Sequence, residues 1–304
     1  MLHLFESAKS FPYFGESLAL GSAVVWAFAV ILFRISGKTV HPLSLNLFRN
    51  ILACILVVLT MLVFSKPILA EIPVKAYGFM LLSGVLGITL SDTLFFASLN
   101  RLGAGLSAVV DCLYSPSIIT LSFLFLGERM SALQLVGVGL IISAVLSISQ
   151  KKHEAYIPPR DLYLGVVLGI LAMFTMAVGI VMIKPLLKEV PLFWALFMRL
   201  LGAIFSLGII LLFHPRRRLL LSPLLSLQNW KSMIPGSILG SYIGLTFWMA
   251  GMKYTFASIA AALSQLSTIF IFILGSIFLE EKVTPWRIAA IILAFVGAFL
   301  ASIR

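Results

Sequence analysis

Apolar residues run through this chain in long stretches broken only by short polar links. A helix needs about 20 mostly apolar residues to cross a hydrocarbon core. Ten such runs can be marked, at 16–36, 43–64, 76–99, 104–126, 131–149, 162–183, 191–213, 232–252, 256–279 and 285–303. The longest links, Gln150 to Asp161 and His214 to Lys231, are loop-sized, so no separate folded domain fits between runs. Tight hairpins around Asn100, Arg101 and Leu102, and around Lys253, Tyr254 and Thr255, force the third and fourth spans, and the eighth and ninth, to be antiparallel neighbours. Small residues at helix-packing spacing, Gly165 with Gly169 and Gly236 with Gly240 and Gly244, predict close backbone approaches.

The pattern is duplicated. Arg34, Lys38 and Arg49 recur as Lys184, Lys188 and Arg199, each 150 residues further on. Gly87, Thr93, Ala97, Ala104, Glu128 and Arg129 recur as Gly240, Thr246, Ala250, Ala257, Glu281 and Lys282 at an offset of 153. Ten runs divide as five and five. The prediction is an all-α integral membrane protein of ten transmembrane helices, with one five-span repeat over 1–150 and a second over 151–304. An odd number of spans per copy turns the second copy upside down, and inverted repeats of this kind hold their substrate at the repeat interface near the bilayer midplane.

Composition agrees with membrane insertion: 61% of residues are hydrophobic and 11% charged, and the mean hydropathy is +1.11. Soluble domains carry about 25% charged residues. The net charge of +11 is scattered over span ends and forms no aromatic-interleaved basic patch, which argues against nucleic acid. Cys54 and Cys112 fall inside spans without a partner motif and read as small apolar residues. The N-terminus lacks the basic and small-residue pattern of a cleaved signal, so the first span is expected to be retained. Both termini fall on one side. Counting Lys and Arg at span ends gives eight cations on that side and twelve on the other, led by Arg216 to Arg218, a bias towards external termini.

A family resemblance lies in Pro116, the Gly127–Glu128 pair and the glycine-bearing fifth span that follows, together with Trp26, Arg34, Pro42 and Arg49 near the start. This arrangement resembles the EamA repeat of the drug/metabolite transporter superfamily, and it covers nearly the whole chain. The second copy departs from it, with Ile269 where Pro116 stands and Glu280 where Gly127 stands. The resemblance implies a ten-helix exporter of amino acids or other small metabolites, with the third, fourth, eighth and ninth spans around a central cavity. It also implies a multi-pass protein of the plasma (inner) membrane with cytoplasmic termini, against the charge count.

Chemistry concentrates at two acids. Nine of the eleven acids lie at loops or span ends, leaving Asp92 and Asp111 inside spans. Counted from the Arg101 turn, both lie roughly 14–15 Å deep, half of a core about 30 Å thick. Either they hold a cationic substrate group or exchange a proton, or they stay protonated and tie helices together by hydrogen bonds. Tyr114 lies one turn from Asp111, and Pro116 frees backbone carbonyls there. The equivalent place in the ninth span carries Ser264, Gln265 and Ser267. Trp248, Trp26 and Tyr242 are candidate aromatic walls, although aromatics in a bundle more often serve as core or interface belt. Arg49 and Arg199 enter about two turns into their spans and are placed nearer the two mouths, where they either attract an anion or snorkel. Glu128 with Arg129, and Glu281 with Lys282, are expected to cap helix ends.

No metal spacing, phosphate-binding glycine loop or cofactor motif appears, and the four histidines fall in loops or termini. A non-enzymatic transporter of small polar metabolites is the expected function, working as a monomer with its substrate, the lipid and, if transport is ion-coupled, protons as partners. A lipid-headgroup or polyprenyl-phosphate flippase of the same architecture would rely on Arg49 and Arg199. An intramembrane aspartyl protease would need a Gly-x-Gly-Asp arrangement, which both acids lack.

Overall fold

The computed structural model describes residues 13–65, 72–126, 131–150, 157–187, 189–254, 260, 263–281 and 283–302, so Glu128, Arg129, Lys188, Thr255, Ala257 and Lys282 lie outside the described residues. Helices α1 (Phe14–Ser36), α2 (Pro42–Val63) and α3 (Val74–Leu102) are followed by α4, which has two pieces, Ala104–Asp111 and Tyr114–Leu126. Then come α5 (Ala132–Gln150), α6 (Pro159–Leu187), α7 (Leu192–Phe213), α8 (Leu227–Tyr254), α9 (Leu266–Phe278) and α10 (Pro285–Ser302). A helical turn at Arg217–Leu221 and a 3-10 turn at Ser222–Leu225 sit on the link between α7 and α8. Among the described residues no strand occurs.

Seven of these helices, α1 to α4 and α6 to α8, are long and apolar enough to cross a membrane; α5, α9 and α10 contribute shorter apolar stretches over 132–144, 266–278 and 285–300. Exposed side chains agree: Ile51, Ile55, Leu59 and Leu62 on α2, and Phe205, Ile209 and Leu212 on α7, form apolar stripes that water would not tolerate but lipid would.

Local chemistry sets the helix starts. Pro42 occupies the first turn of α2 behind His41, whose ring accepts from Leu43 N at 3.3 Å. Ser131 and Gln134 form a reciprocal capping box at α5, with bonds of 2.9 and 3.2 Å. Gly103 ends α3 at φ +81°, a conformation that suits glycine, and a Cβ there would also meet the Glu281 carboxylate at 2.7 Å.

Two irregularities recur at the 153-residue offset. A π segment, Val85–Leu90, lies inside α3, and another, Ile238–Gly244, lies inside α8. Such segments are rare and often mark functional sites. The second irregularity is a break. Helix α4 interrupts after Asp111, with Ser115 N bonded to Cys112 O at 3.3 Å; before α9, Thr268 N bonds to Gln265 O at 3.1 Å. Pro116 accounts for the first, since it cannot donate to the carbonyl four residues back. The second forms with Ile269 in that place, so the break does not depend on the proline.

Packing follows the same exchange. Helix α2 packs on α7, α4 on α9 and α5 on α10, while α3 packs on α6 and on α7 as α8 packs on α1 and on α2. Where α3 meets α6, a Cβ on Gly179 would come within 2.9 Å of Gly87 N; where α8 meets α1, one on Gly240 would come within 2.8 Å of the Ala29 Cβ. Of the predicted packing glycines, Gly165 lies against Leu102, Gly169 against Val110, and Gly236 against Phe33.

Candidate substrate cavity

Every helix except α5 and α10 contributes to one central cavity of about 110 Å³. Its wall repeats the duplication. Ala23, Trp26 and Arg49 face it from the first half, and Met173, Met176 and Arg199 stand at the corresponding places in the second. At the larger offset, Gly87, Ile88, Asp92, Phe95, Asp111 and Tyr114 pair with Gly240, Ser241, Leu245, Trp248, Ser264 and Ser267. All the candidate residues thus meet around one space, with Gln265 beside them. Tyr242 does not: its hydroxyl lies 2.5 Å from Thr60 Oγ1, towards α2.

The arginines differ from their expected placement at the mouths. Arg49 is 3% exposed and Arg199 1%, so neither snorkels. Helix α2 carries Arg49 inward, and its guanidinium donates to the Asp92 carboxylate and, through Nε, to Asn46 Oδ1 at 3.2 Å. The rings of Phe33 and Phe96 flank it at 5.4 and 5.0 Å. Asn46 in turn donates to Ile88 O at 2.9 Å and Thr93 Oγ1 at 3.0 Å, which ties α2 to the π segment of α3. Asn46 thus bonds both to carbonyls of the π segment and to the Arg49 guanidinium that pairs with Asp92.

Arg199 stands at the equivalent place without the equivalent acid, because position 245 is Leu. Its Nη1 meets Met249 Sδ at 3.8 Å and its guanidinium lies 6.0 Å from the Trp248 ring, while Nε has no partner among the described residues. Trp248 also faces Tyr114, with ring centroids 6.4 Å apart, and Trp26 lies 6.0 Å from Phe95. Asp111 sits at the break of α4 and faces the same space. Gln265 at the other break donates to Ser115 Oγ at 3.1 Å.

Several buried polar atoms around the cavity lack a partner among the described residues: Arg49 Nη1, Tyr114 Oη, Ser241 Oγ, Ser264 Oγ and Gln265 Oε1. Burying a polar group unbonded is costly, so unpartnered donors and acceptors around one space make this cavity the candidate site for a polar ligand. Ser241, Met173 and Met176 line this cavity and Asn46 holds Arg49 beside it, and none of the four was singled out from the sequence. The repeat register carries the signal for the two methionines, which stand where Ala23 and Trp26 stand.

Comparison with known proteins points the same way. The model of the EamA-like transporter family matches residues 13–150 and again residues 163–303. A protein of Archaeoglobus fulgidus named "Uncharacterized transporter" is 25% identical over 285 residues, covering 93% of this chain and 95% of its own. Protein PecM of Dickeya dadantii is 29% identical over 219 residues, 70% of this chain and 69% of its own. A crystal structure superposes with a TM-score of 0.68 over 94% of this chain and 96% of that chain, at 17% identity, which shows a shared fold alone. With the family matched twice, over nearly the whole length, the chain belongs to the EamA-like transporter family, a family of multi-pass membrane transporters.

Proposed function

We propose that this chain is a secondary transporter of small polar metabolites, amino acids or related zwitterions first, working by alternating access around the central cavity. The observation that carries the reading is the cavity itself: a buried space between the halves that holds charged groups of both signs and several unpartnered polar atoms. Aromatic and methionine walls exclude bulk water and suit an apolar side chain.

The inverted arrangement of ten spans is part of the same proposal. It is supported by the exchange of packing partners between halves and by the links that meet. The link after α1 reaches α8 through Ser36–Ser232 at 2.8 Å and Thr39–Asn229 at 2.9 Å. Arg34 donates to Asn100 O at 2.8 Å, and Glu281 accepts from Ala104 N at 2.6 Å. In a ten-span topology all of these ends share one side. On the other side, Lys253 Nζ donates to Val190 O at 2.6 Å, and Phe14 faces Tyr254. We place the protein in the plasma (inner) membrane with both termini cytoplasmic.

The test is counterflow of a metabolite panel in proteoliposomes, run beside Asp111→Asn and Gln265→Ala. Flux of an amine-bearing compound that falls in both variants is expected. Movement of a phospholipid or polyprenyl phosphate instead, abolished by Arg49→Ala and untouched by Asp111→Asn, would replace this reading with a flippase.

A further inference from the structure

The two arginines occupy the same register position and do different work. Arg49 carries its own counter-charge in Asp92, so the charge of that pair is balanced even though Arg49 Nη1 has no hydrogen-bond partner among the described residues. Arg199 faces Leu245 at the matching place. Arg199 is 1% exposed, its guanidinium is flanked by Met249 and Trp248, and Nε has no partner among the described residues. A buried cation without a counter-charge is costly, and Asp92, on the same cavity wall, is already engaged by Arg49. The mirror situation holds for Asp111: among the described residues it has no ion pair and accepts no side-chain hydrogen bond, and Ser264 stands at its repeat equivalent. Tyr114 lines the same cavity, its ring faces the Trp248 that flanks Arg199, and its hydroxyl has no partner among the described residues.

Resting on the transporter reading, we infer that Arg199 and Asp111 are the two poles of one zwitterion subsite, Arg199 receiving the substrate's carboxylate and Asp111 its ammonium. The chemistry around them excludes the neighbouring classes. A simple amine would leave Arg199 unpaired. A dianion such as a phosphate monoester would bring two negative charges to a single unpaired guanidinium and against the unpaired Asp111, because Arg49 and Asp92 already neutralise each other. A guest with one carboxylate and one ammonium completes both poles, and its side chain falls against Trp26, Met173 and Met176. The repeated wall of the cavity would accept a guest in either direction; Leu245, standing where Asp92 stands in the first half, fixes which end points to the second half.

Three matched probes test the assignment on the purified full-length protein: leucine, leucinamide and 4-methylpentanoate, by calorimetric binding and by flux in proteoliposomes. The parent should bind leucine at least roughly tenfold more tightly than either analogue. Arg199→Gln should cost leucine roughly 10- to 100-fold and erase its advantage over leucinamide, as expected for loss of a charge-assisted bond. Asp111→Asn should erase the advantage over 4-methylpentanoate instead. Arg199→Lys should restore part of the carboxylate preference, and Arg49→Gln should weaken all three probes alike, which separates a lost pole from a loosened site. A parent that binds none of the probes, or an Arg199→Gln protein that keeps the leucine-to-leucinamide ratio, overturns the assignment. If the ratios fail while leucine flux persists, only the polarity falls. If the ratios hold and no probe crosses the membrane, the site stands and the transport reading falls.

Discussion

Replacing Asp92 by Asn removes one charge from the middle of the bundle and almost no volume. Arg49 would keep its bond to Asn46 and the faces of Phe33 and Phe96, and cation–π contacts contribute up to about 2 kcal/mol when desolvated. That does not replace an ion-pair partner for a guanidinium that is 3% exposed. Deleting one member of a buried pair costs about 3–5 kcal/mol, a large fraction of the 5–15 kcal/mol that holds a typical folded domain together. The Asp92→Asn protein should therefore melt well below the parent in detergent, followed by the fluorescence of its tryptophans. The double variant Arg49→Met with Asp92→Leu removes both charges and fills the space with apolar atoms; such replacements are often neutral or stabilising, and the midpoint should recover. An Asp92→Asn protein that melts with the parent, or a double variant that melts below the single one, would refute the view that the pair is a mutual neutralisation.

Glu281 accepts from Ala104 N at 2.6 Å and Gly105 N at 3.0 Å and lies 3.8 Å from Arg287, so Glu281→Gln should weaken the start of α4 by about 1 kcal/mol; faster amide exchange over 104–105 by mass spectrometry is expected, and unchanged exchange would sink the capping role. If a proton accompanies the substrate, flux should respond to an imposed pH gradient in the parent and lose that response in Asp111→Asn, whereas a parent indifferent to the gradient leaves facilitated diffusion. Single cysteines at Lys38 and at Glu189, both exposed, in a background lacking Cys54 and Cys112, should be labelled from opposite faces of the membrane; labelling from one face ends the inverted topology.

The duplication was legible because the same few polar residues punctuate both halves, and long apolar runs give helix existence directly. Helix ends were close for the same reason: Pro42, Pro159 and Pro285 each open a helix. The depth of Arg49 was not legible. Seven residues past Pro42 place its Cα only about 10 Å into the span, and whether the side chain then turns outward or inward depends on what the neighbouring helix offers, here Asp92 across the α2–α3 contact. The π segments leave no residue signature of their own; Gly84, Gly87 and Gly240 permit close approach but do not announce an extra residue in the turn. The break before α9 was obscured because Pro116, the visible cause in the first half, has no counterpart in the second.

The seam between α5 and α10 sets a mechanical constraint on any cycle. These helices touch each other extensively and contribute nothing to the cavity wall, and their backbones come so near that a Cβ on Gly297 would lie 2.8 Å from Gly137 O. Each half is thus bolted to the other at its periphery while its remaining helices surround a void. Rocking of one half against the other would have to pivot about this joint, with the largest displacement on the far side of the cavity. A bulky residue at Gly297 would act like grit in a hinge, altering the speed of the motion without touching the solute.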